Sequence, residues 1–367
     1  MEVVISDSDN KSNAVISVKA QIDIPITNID SQSASSSDLT NPRDDIIRGC
    51  RSTPPYLPSL LLWDDLGIER FDAFARSPDY YPSHTELTML HRHAGRMAQA
   101  IPPGSTVIEL GSGNLQKISI LLSYFQKLHR AIKYHALDVS AGILFDNLET
   151  LSERFADCPF IDIQGLNGTY EDCVAWLATA ACGLASGETV TFLWFGNSIA
   201  NMHPHEAGAL LKRFASACSL ARLQCQFFIA VDACSDPVRI SEAYSLDCTS
   251  HREFLLGGLD SANRIFGQPV FDLAEFDIET EFQAERRLFQ VYYRVKHDLK
   301  LSFPDAEENT TSQSEYALLQ KGQRMGIIRS YKWSPYDMFH ICNLASLKTR
   351  QTLKDCDIDY FIYHVAP

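Results

Sequence analysis

From about residue 85 the chain alternates segments of helical period with short apolar runs, and few architectures accept such an alternation. Residues 86–100 carry Leu87, Leu90, Ala94 and Met97 at helical spacing, with Ile101 just beyond, and Pro102-Pro103-Gly104 stops the pattern. Residues 106–110 then read as a strand, 115–128 as a helix, 134–139 as a strand, 141–156 as a helix and 160–166 as a third strand. Residues 189–195 are almost continuously apolar, which suits a strand covered on both faces. A helix over 205–220 and a fifth strand over 226–231 complete the series. Strand and helix in this rhythm predict a doubly wound α/β sheet, with ligands at the C-terminal ends of its strands. After residue 240 the rhythm breaks. Helices precede a long strand at Leu288–Val295, residues 307–315 are polar and read as an exposed loop, and residues 358–365 end the chain as a strand.

At 367 residues the chain has length for one large domain or two ordinary ones, and 45% hydrophobic against 21% charged residues is the balance of a soluble protein with a sizeable core. A net charge of −14 argues against a general binder of phosphate backbones and leaves a small-molecule substrate as the better fit. No run of eighteen apolar residues occurs, and residues 1–47 lack an apolar stretch behind a basic start, so neither a membrane span nor a secretory signal is expected. Ten scattered cysteines form no CxxC pair and no zinc-ligand spacing with histidine; they read as reduced, buried thiols of a cytoplasmic protein without a metal site. Residues 1–45 are rich in Ser, Asn, Asp and Thr, lack aromatics, and read as a disordered tail. Order is expected from about Pro54-Pro55-Tyr56-Leu57-Pro58.

The sharpest local signal is Val107-Ile108-Glu109-Leu110-Gly111-Ser112-Gly113-Asn114. Gly111 and Gly113 let the backbone turn tightly and approach a ligand, and the following helix offers its N-terminus. A dinucleotide site would place a third glycine where Gln116 stands. Asp138, 27 residues after Gly111 at the end of the second strand, can accept from both hydroxyls of a ribose. Gly168-Thr169-Tyr170 after the third strand would face an adenine. A glycine turn alone is a weak signal and an Asp at a strand end is often a cap, but in this order and spacing they read as one nucleotide-type site.

Three stretches together resemble the histidine-specific methyltransferase family: Pro78-Asp79-Tyr80-Tyr81-Pro82-Ser83-His84-Thr85-Glu86, then Glu109 to Lys117, then Phe195-Gly196-Asn197-Ser198-Ile199-Ala200-Asn201. Members trimethylate histidine in ergothioneine biosynthesis, and fungal relatives N-methylate tryptophan or dimethylallyltryptophan. The resemblance covers roughly residues 55–367. It implies a Rossmann-like class I methyltransferase sheet with a second, α+β substrate-binding domain. The cofactor domain would span 84–240 plus 332–367, and the substrate domain 50–83 plus 241–331. It implies S-adenosylmethionine as cofactor, held by Glu109, Gly111, Gly113, Lys117, Asp138, Thr169 and Tyr170. A carboxylate at Glu109 suits a ligand bearing a sulfonium and an amino acid end. Where the family has Gly-Asp-Phe this chain has Gly168-Thr169-Tyr170, so Thr169 is a weaker partner for the adenine amine.

By the same resemblance Asn201 and Tyr244 would grip the substrate's α-amino and carboxylate groups as the catalytic pair, and Tyr80 would line the pocket. Histidine enzymes place a Glu on the imidazole ahead of a Ser; here the unit reads Ile328-Arg329-Ser330. Val291 stands where a bulkier Met is common, and Trp63 where a pocket Tyr is expected. Loss of the polar partner and gain of apolar space favour an indole ring. The expectation is an N-methyltransferase acting on the α-amine of tryptophan, a monomer with no nucleic-acid or membrane partner. The alternatives are a dimethylallyltryptophan enzyme, a histidine enzyme, and a binder of the cofactor without turnover. Bland roles also compete: Asn201 as a helix cap, Trp63 and Tyr80 as core, Lys117 as surface charge, and His203-Pro204-His205 as a helix start.

Overall fold

The computed structural model describes residues 24–29, 41–113, 115–179, 182–304 and 315–367. In chain order the elements are β1 (Ile26–Asn28), α1 (Pro42–Arg51), α2 (Asp65–Ala75), α3 (Tyr81–Ala100), β2 (Ser105–Leu110), α4 (Gln116–Lys127), β3 (Ile132–Asp138), α5 (Ala141–Arg154) and β4 (Ile161–Asn167). Then come α6 (Tyr170–Leu177), β5 (Thr189–Trp194), a 3-10 turn (Ser198–Asn201), α7 (Pro204–Leu220), β6 (Gln224–Asp232), α8 (Pro237–Ala243) and α9 (Thr249–Phe266). The chain ends with β7 (Phe276–Gln283), β8 (Leu288–Val295), β9 (Leu299–Phe303), β10 (Glu315–Leu319), β11 (Arg324–Tyr331), α10 (Pro335–Leu344), β12 (Lys348–Lys354) and β13 (Tyr360–Ala366).

The main sheet runs β1-β4-β3-β2-β5-β6-β13-β12, parallel from β1 to β6, with β13 antiparallel to β6 and β12 antiparallel to β13. This is the α/β class the alternation predicts. Helices α3, α4 and α5 pack Leu90, Leu122 and Leu148 on one face, while α6, α7 and α10 pack Leu177, Leu211 and Ile341 on the other. Covered twice, β2 is buried at every position. The chain winds outward from β2 through β3 and β4, then returns to the other side as β5 and β6. The strand order therefore reverses at β2, and the crevice at its C-terminal end is where a ligand fits without displacing a connection.

A third core lies beside those strand ends. It is built from residues 46–81 and 234–327, two segments far apart in sequence. The antiparallel sheet β11-β8-β7 and the hairpin β9-β10 form its framework, and α2 and α9 cover it. The segment before α2 is tied in by main-chain bonds, Leu57 N to Gly326 O at 2.8 Å and Gly326 N to Pro55 O at 3.0 Å.

Two expectations need correction. The tail predicted over 1–45 is partly ordered: β1 pairs in parallel with the edge strand β4, and α1 starts at Pro42 behind an Asn41 cap. Ile24 and Ile26, on either side of Pro25, find an apolar ledge at an edge whose backbone groups would otherwise face water. The rest of that tail lies outside the described residues, as does most of the predicted polar loop over 307–315. The helix predicted from residue 86 begins at Tyr81, because Pro82 suits a first turn and starts the helix early.

Candidate functional site

The glycine turn folds back on β3. Gly111 and Ser112 both donate their N–H to Leu137 O at 3.0 Å. Gly111 sits at φ +77° and Gly113 at φ +50°, and a Cβ on Gly111 would meet the Tyr170 hydroxyl at 3.2 Å. Tyr170 packs edge-on against Trp194 with ring centroids 4.9 Å apart, so it forms a wall beneath the turn. Asp138 closes the other side: Oδ2 accepts from Gly113 N at 3.2 Å and Oδ1 from Ser140 N at 3.3 Å. A carboxylate offers about four acceptor positions, and these two contacts fill one on each oxygen of Asp138. Burial raises the Asp138 pKa, and the backbone donors Gly113, Ser140 and Val139, with the Ser112 hydroxyl, counter it.

Glu109 lies deeper. It is 2% exposed and accepts from the Tyr134 hydroxyl at 2.5 Å. Burial pushes its pKa up to about 8, against the opposing pull of Tyr134 and Lys117. A buried acid in that state has a deficit of positive charge around it, which is the environment a cationic ligand would relieve.

Lys117 is not surface charge. Its ammonium donates to Glu86 Oε2 at 3.0 Å. Glu86, 1% exposed, also accepts from the Tyr360 hydroxyl at 2.9 Å and from Gly196 N at 2.9 Å. One carboxylate thus ties α3 to α4, to the end of β5 and to β13. Thr169 is the cap of α6. Its hydroxyl donates to Asp172 Oδ2 at 2.6 Å and accepts from Asp172 N at 3.2 Å, so toward a ligand it could only accept.

Tyr80, Tyr244 and Ser330 meet between the main sheet and the third core. The Tyr80 and Tyr244 rings stand perpendicular with centroids 5.5 Å apart, and Tyr244 stacks on Phe289 at 4.2 Å. Phe289 lies directly across from Ser330, and Val291 directly across from Ile328. Opposed residues share a face and alternate residues return to it, so Phe289, Val291, Ile328 and Ser330 form one patch. The bulge between Gly326 and Ile328 sets this alignment, because one residue more or less would turn Ile328 and Ser330 to the opposite face. Trp63 joins through a chain of rings, packing on Phe71 at 5.0 Å and Phe254 at 5.5 Å, with Phe71 in turn 6.2 Å from Tyr80.

Asn201 ends the 3-10 turn, and its carbonyl accepts from Arg329 Nε at 3.0 Å, which anchors it to β11. It is not the cap of the next helix; His203 holds that position, with its N–H on Glu206 Oε2 at 2.7 Å. His203-Pro204-His205 starts α7, as the sequence predicts.

Four participants escaped the sequence reading: Glu86, described above, and Asn197, Asp232 and Lys332. Asn197, at φ +59°, accepts from Asp232 N at 2.9 Å through Oδ1 and donates to Ser330 Oγ at 3.4 Å. Asp232 and Lys332 are fully buried and paired at 2.7 Å, and Tyr81 donates to the same Asp232 oxygen at 2.7 Å. The available signal was charge out of place: an Asp closing the apolar run Phe227-Phe228-Ile229-Ala230-Val231-Asp232, and a Lys between Tyr331 and Trp333.

The sequence profile described as histidine-specific, SAM-dependent methyltransferase matches residues 42–367. The N-methyltransferase dtpB of Aspergillus flavus is 37% identical over 80% of this chain and 79% of its own length. The ergothioneine biosynthesis protein 1 of Neurospora crassa is 31% identical over 80% of this chain, which corresponds to 31% of that longer protein. The 4-dimethylallyltryptophan N-methyltransferase easF of Epichloe festucae var. lolii is 28% identical over 87% of this chain and 93% of its own.

Proposed function

Because the chain belongs to the histidine-specific, S-adenosylmethionine-dependent methyltransferase family, we propose that it methylates the α-amine of an aromatic amino acid, L-tryptophan in the first place. The chain is an S-adenosylmethionine-dependent N-methyltransferase; the choice of substrate is the proposal. The observation that carries it is the opposed pair Val291 and Ile328, on the face that also presents Ser330 and Phe289. An imidazole needs a polar partner at that point, and this chain offers two aliphatic side chains. An indole needs apolar walls, and Trp63, Phe71, Phe254 and Tyr80 supply a continuous set of rings.

In this reading the core of residues 46–81 and 234–327 is the substrate domain and the main sheet is the cofactor domain. Asp138 holds the ribose, the Gly111 turn admits the backbone-close part of the ligand, and Glu109 faces its positive end. The cofactor supplies a methyl group on a cationic sulfur. The residues of this chain must present a neutral amine in line with it, since an ammonium has no lone pair. Asn201 orients the amine and Tyr244 the carboxylate. Such orientation can supply about 7–11 kcal/mol in the most favourable systems, and a nearby cation disfavours the ammonium form without a dedicated strong base.

The ring preference is tested by Ile328→Glu. The ratio of kcat/KM for histidine to that for tryptophan is expected to rise roughly 10- to 100-fold, the worth of a hydrogen bond to a charged group. An unchanged ratio in steady-state assays would remove the argument from Ile328.

Glu109 makes a second test. Below about pH 8 the ligand-free carboxyl is protonated, against an ordinary value of 4.5. A cationic ligand favours the carboxylate, so S-adenosylmethionine should release a proton on binding at pH 7, measurable by calorimetry in buffers of different ionisation enthalpy. Glu109→Gln should abolish the release. Between pH 4.5 and 8 the unfolded chain has lost this proton and the folded chain keeps it, so the group's contribution falls as pH rises through that window and is constant above it. The Gln variant should show a flatter stability profile there.

A further inference from the structure

We propose that Lys332 is a positioning residue that sets the polarity of the Tyr244 hydroxyl, making it a donor toward the substrate. The inference rests on the reading above that Tyr244 meets the substrate's carboxylate.

An ammonium has three N–H groups and no lone pair. Lys332 Nζ lies 2.7 Å from Asp232 Oδ2, 2.9 Å from the Tyr244 hydroxyl and 3.4 Å from Ser330 Oγ. It must donate in each contact, so the Tyr244 oxygen accepts from Lys332 and its own proton is released for another partner. Without a ligand the neighbouring Tyr80 and Ser330 hydroxyls are within reach of Tyr244. With one, the same proton can pass to a carboxylate oxygen. Asp232 keeps the ammonium in place: Oδ2 accepts from Lys332 and from Tyr81, Oδ1 from Cys234 N at 2.9 Å. Phe289 stacks on the Tyr244 ring with centroids 4.2 Å apart and fixes the plane of the phenol. The selected ligand is therefore one with an acceptor beside its amine, an α-amino acid and not the corresponding amine.

The test is a double-mutant cycle on the full chain, read as the Kd of L-tryptophan in the presence of S-adenosylhomocysteine, with the Kd of S-adenosylhomocysteine itself as the check on folding. Tyr244→Phe is expected to weaken tryptophan roughly 10- to 100-fold. The charge-neutral double variant Asp232→Asn/Lys332→Met should weaken it about three- to tenfold through the lost polarity, a fraction of that hydrogen bond. The triple variant with Tyr244→Phe added should then bind tryptophan no more weakly than Tyr244→Phe alone, so that Tyr244→Phe costs less in the double variant than in the native chain. A structural role for Lys332 predicts additive losses instead, and additivity, or native affinity in the double variant, overturns the proposal. If the double variant no longer binds S-adenosylhomocysteine, Asp232→Asn/Lys332→Gln replaces it, since Gln keeps an N–H donor beside Tyr244. Affinity for tryptophan close to native then supports the proposal, and a loss as large as that of Tyr244→Phe overturns it. Native affinity in Tyr244→Phe would instead sink the assignment of Tyr244 to the carboxylate, and no tryptophan binding by the native chain would sink the substrate reading itself.

Discussion

Lys332→Met alone is expected to lower the unfolding free energy by about 3–5 kcal/mol, the usual consequence of leaving one member of a buried ion pair without its partner. Lys332 and Asp232 have no exposed side-chain surface and lie 2.7 Å apart. The Asp232 carboxylate would keep Tyr81 and Cys234 N as donors but lose its counter-charge. Asp232→Asn/Lys332→Met removes both charges and should recover most of the loss, because two neutral side chains carry no such desolvation cost. Urea unfolding of the native chain and the two variants measures this. A single variant as stable as the native chain would mean that the pair is more hydrated than its burial indicates.

Asp138→Ala is expected to weaken S-adenosylhomocysteine binding roughly 100-fold or more, as the loss of two charge-assisted hydrogen bonds implies. The side chain also organises the site without a ligand, through Gly113 N and Ser140 N. Its removal leaves the Gly113 N–H without that acceptor and loosens the turn at Gly111. Calorimetry should find the loss in cofactor affinity, with tryptophan affinity falling only as far as it depends on the cofactor being bound. A change of less than about fivefold, below the worth of one such bond, would move the ribose elsewhere.

The parallel sheet was legible because its strands are covered twice. Residues 190–195 and 227–231 are near-continuous apolar runs, and such runs have few alternatives to a central strand. The edges were harder. β12 reads Lys348-Thr349-Arg350-Gln351-Thr352-Leu353-Lys354, and only Leu353 is buried, so a strand held by main-chain bonds to β13 left almost no side-chain signal. In β7 the alternation of Phe276, Ile278 and Phe282 with Asp277, Glu279 and Glu281 was present but went unread.

At the site, the glycine turn and Asp138 were legible as local motifs with a mechanical reason for each residue. Val291 and Ile328 were singled out through the family resemblance, but their cross-strand pairing depends on a bulge that no local pattern announces. Glu86, Asn197, Asp232 and Lys332 were invisible for a different reason. Each acts through partners brought from distant segments, as when Glu86 receives Lys117, Gly196 and Tyr360. A single charged residue in an apolar stretch reports that a partner exists, not where it is.

The central claim is α-amine methylation of an aromatic amino acid. The most direct test incubates the purified chain with S-adenosylmethionine and, separately, L-tryptophan, tryptamine, 4-dimethylallyltryptophan and L-histidine, and locates the added methyl by tandem mass spectrometry. The account predicts one or more methyl groups on the α-nitrogen of tryptophan and none on tryptamine. Methyl transfer to the indole nitrogen, equal use of tryptamine, or turnover of histidine alone would contradict it.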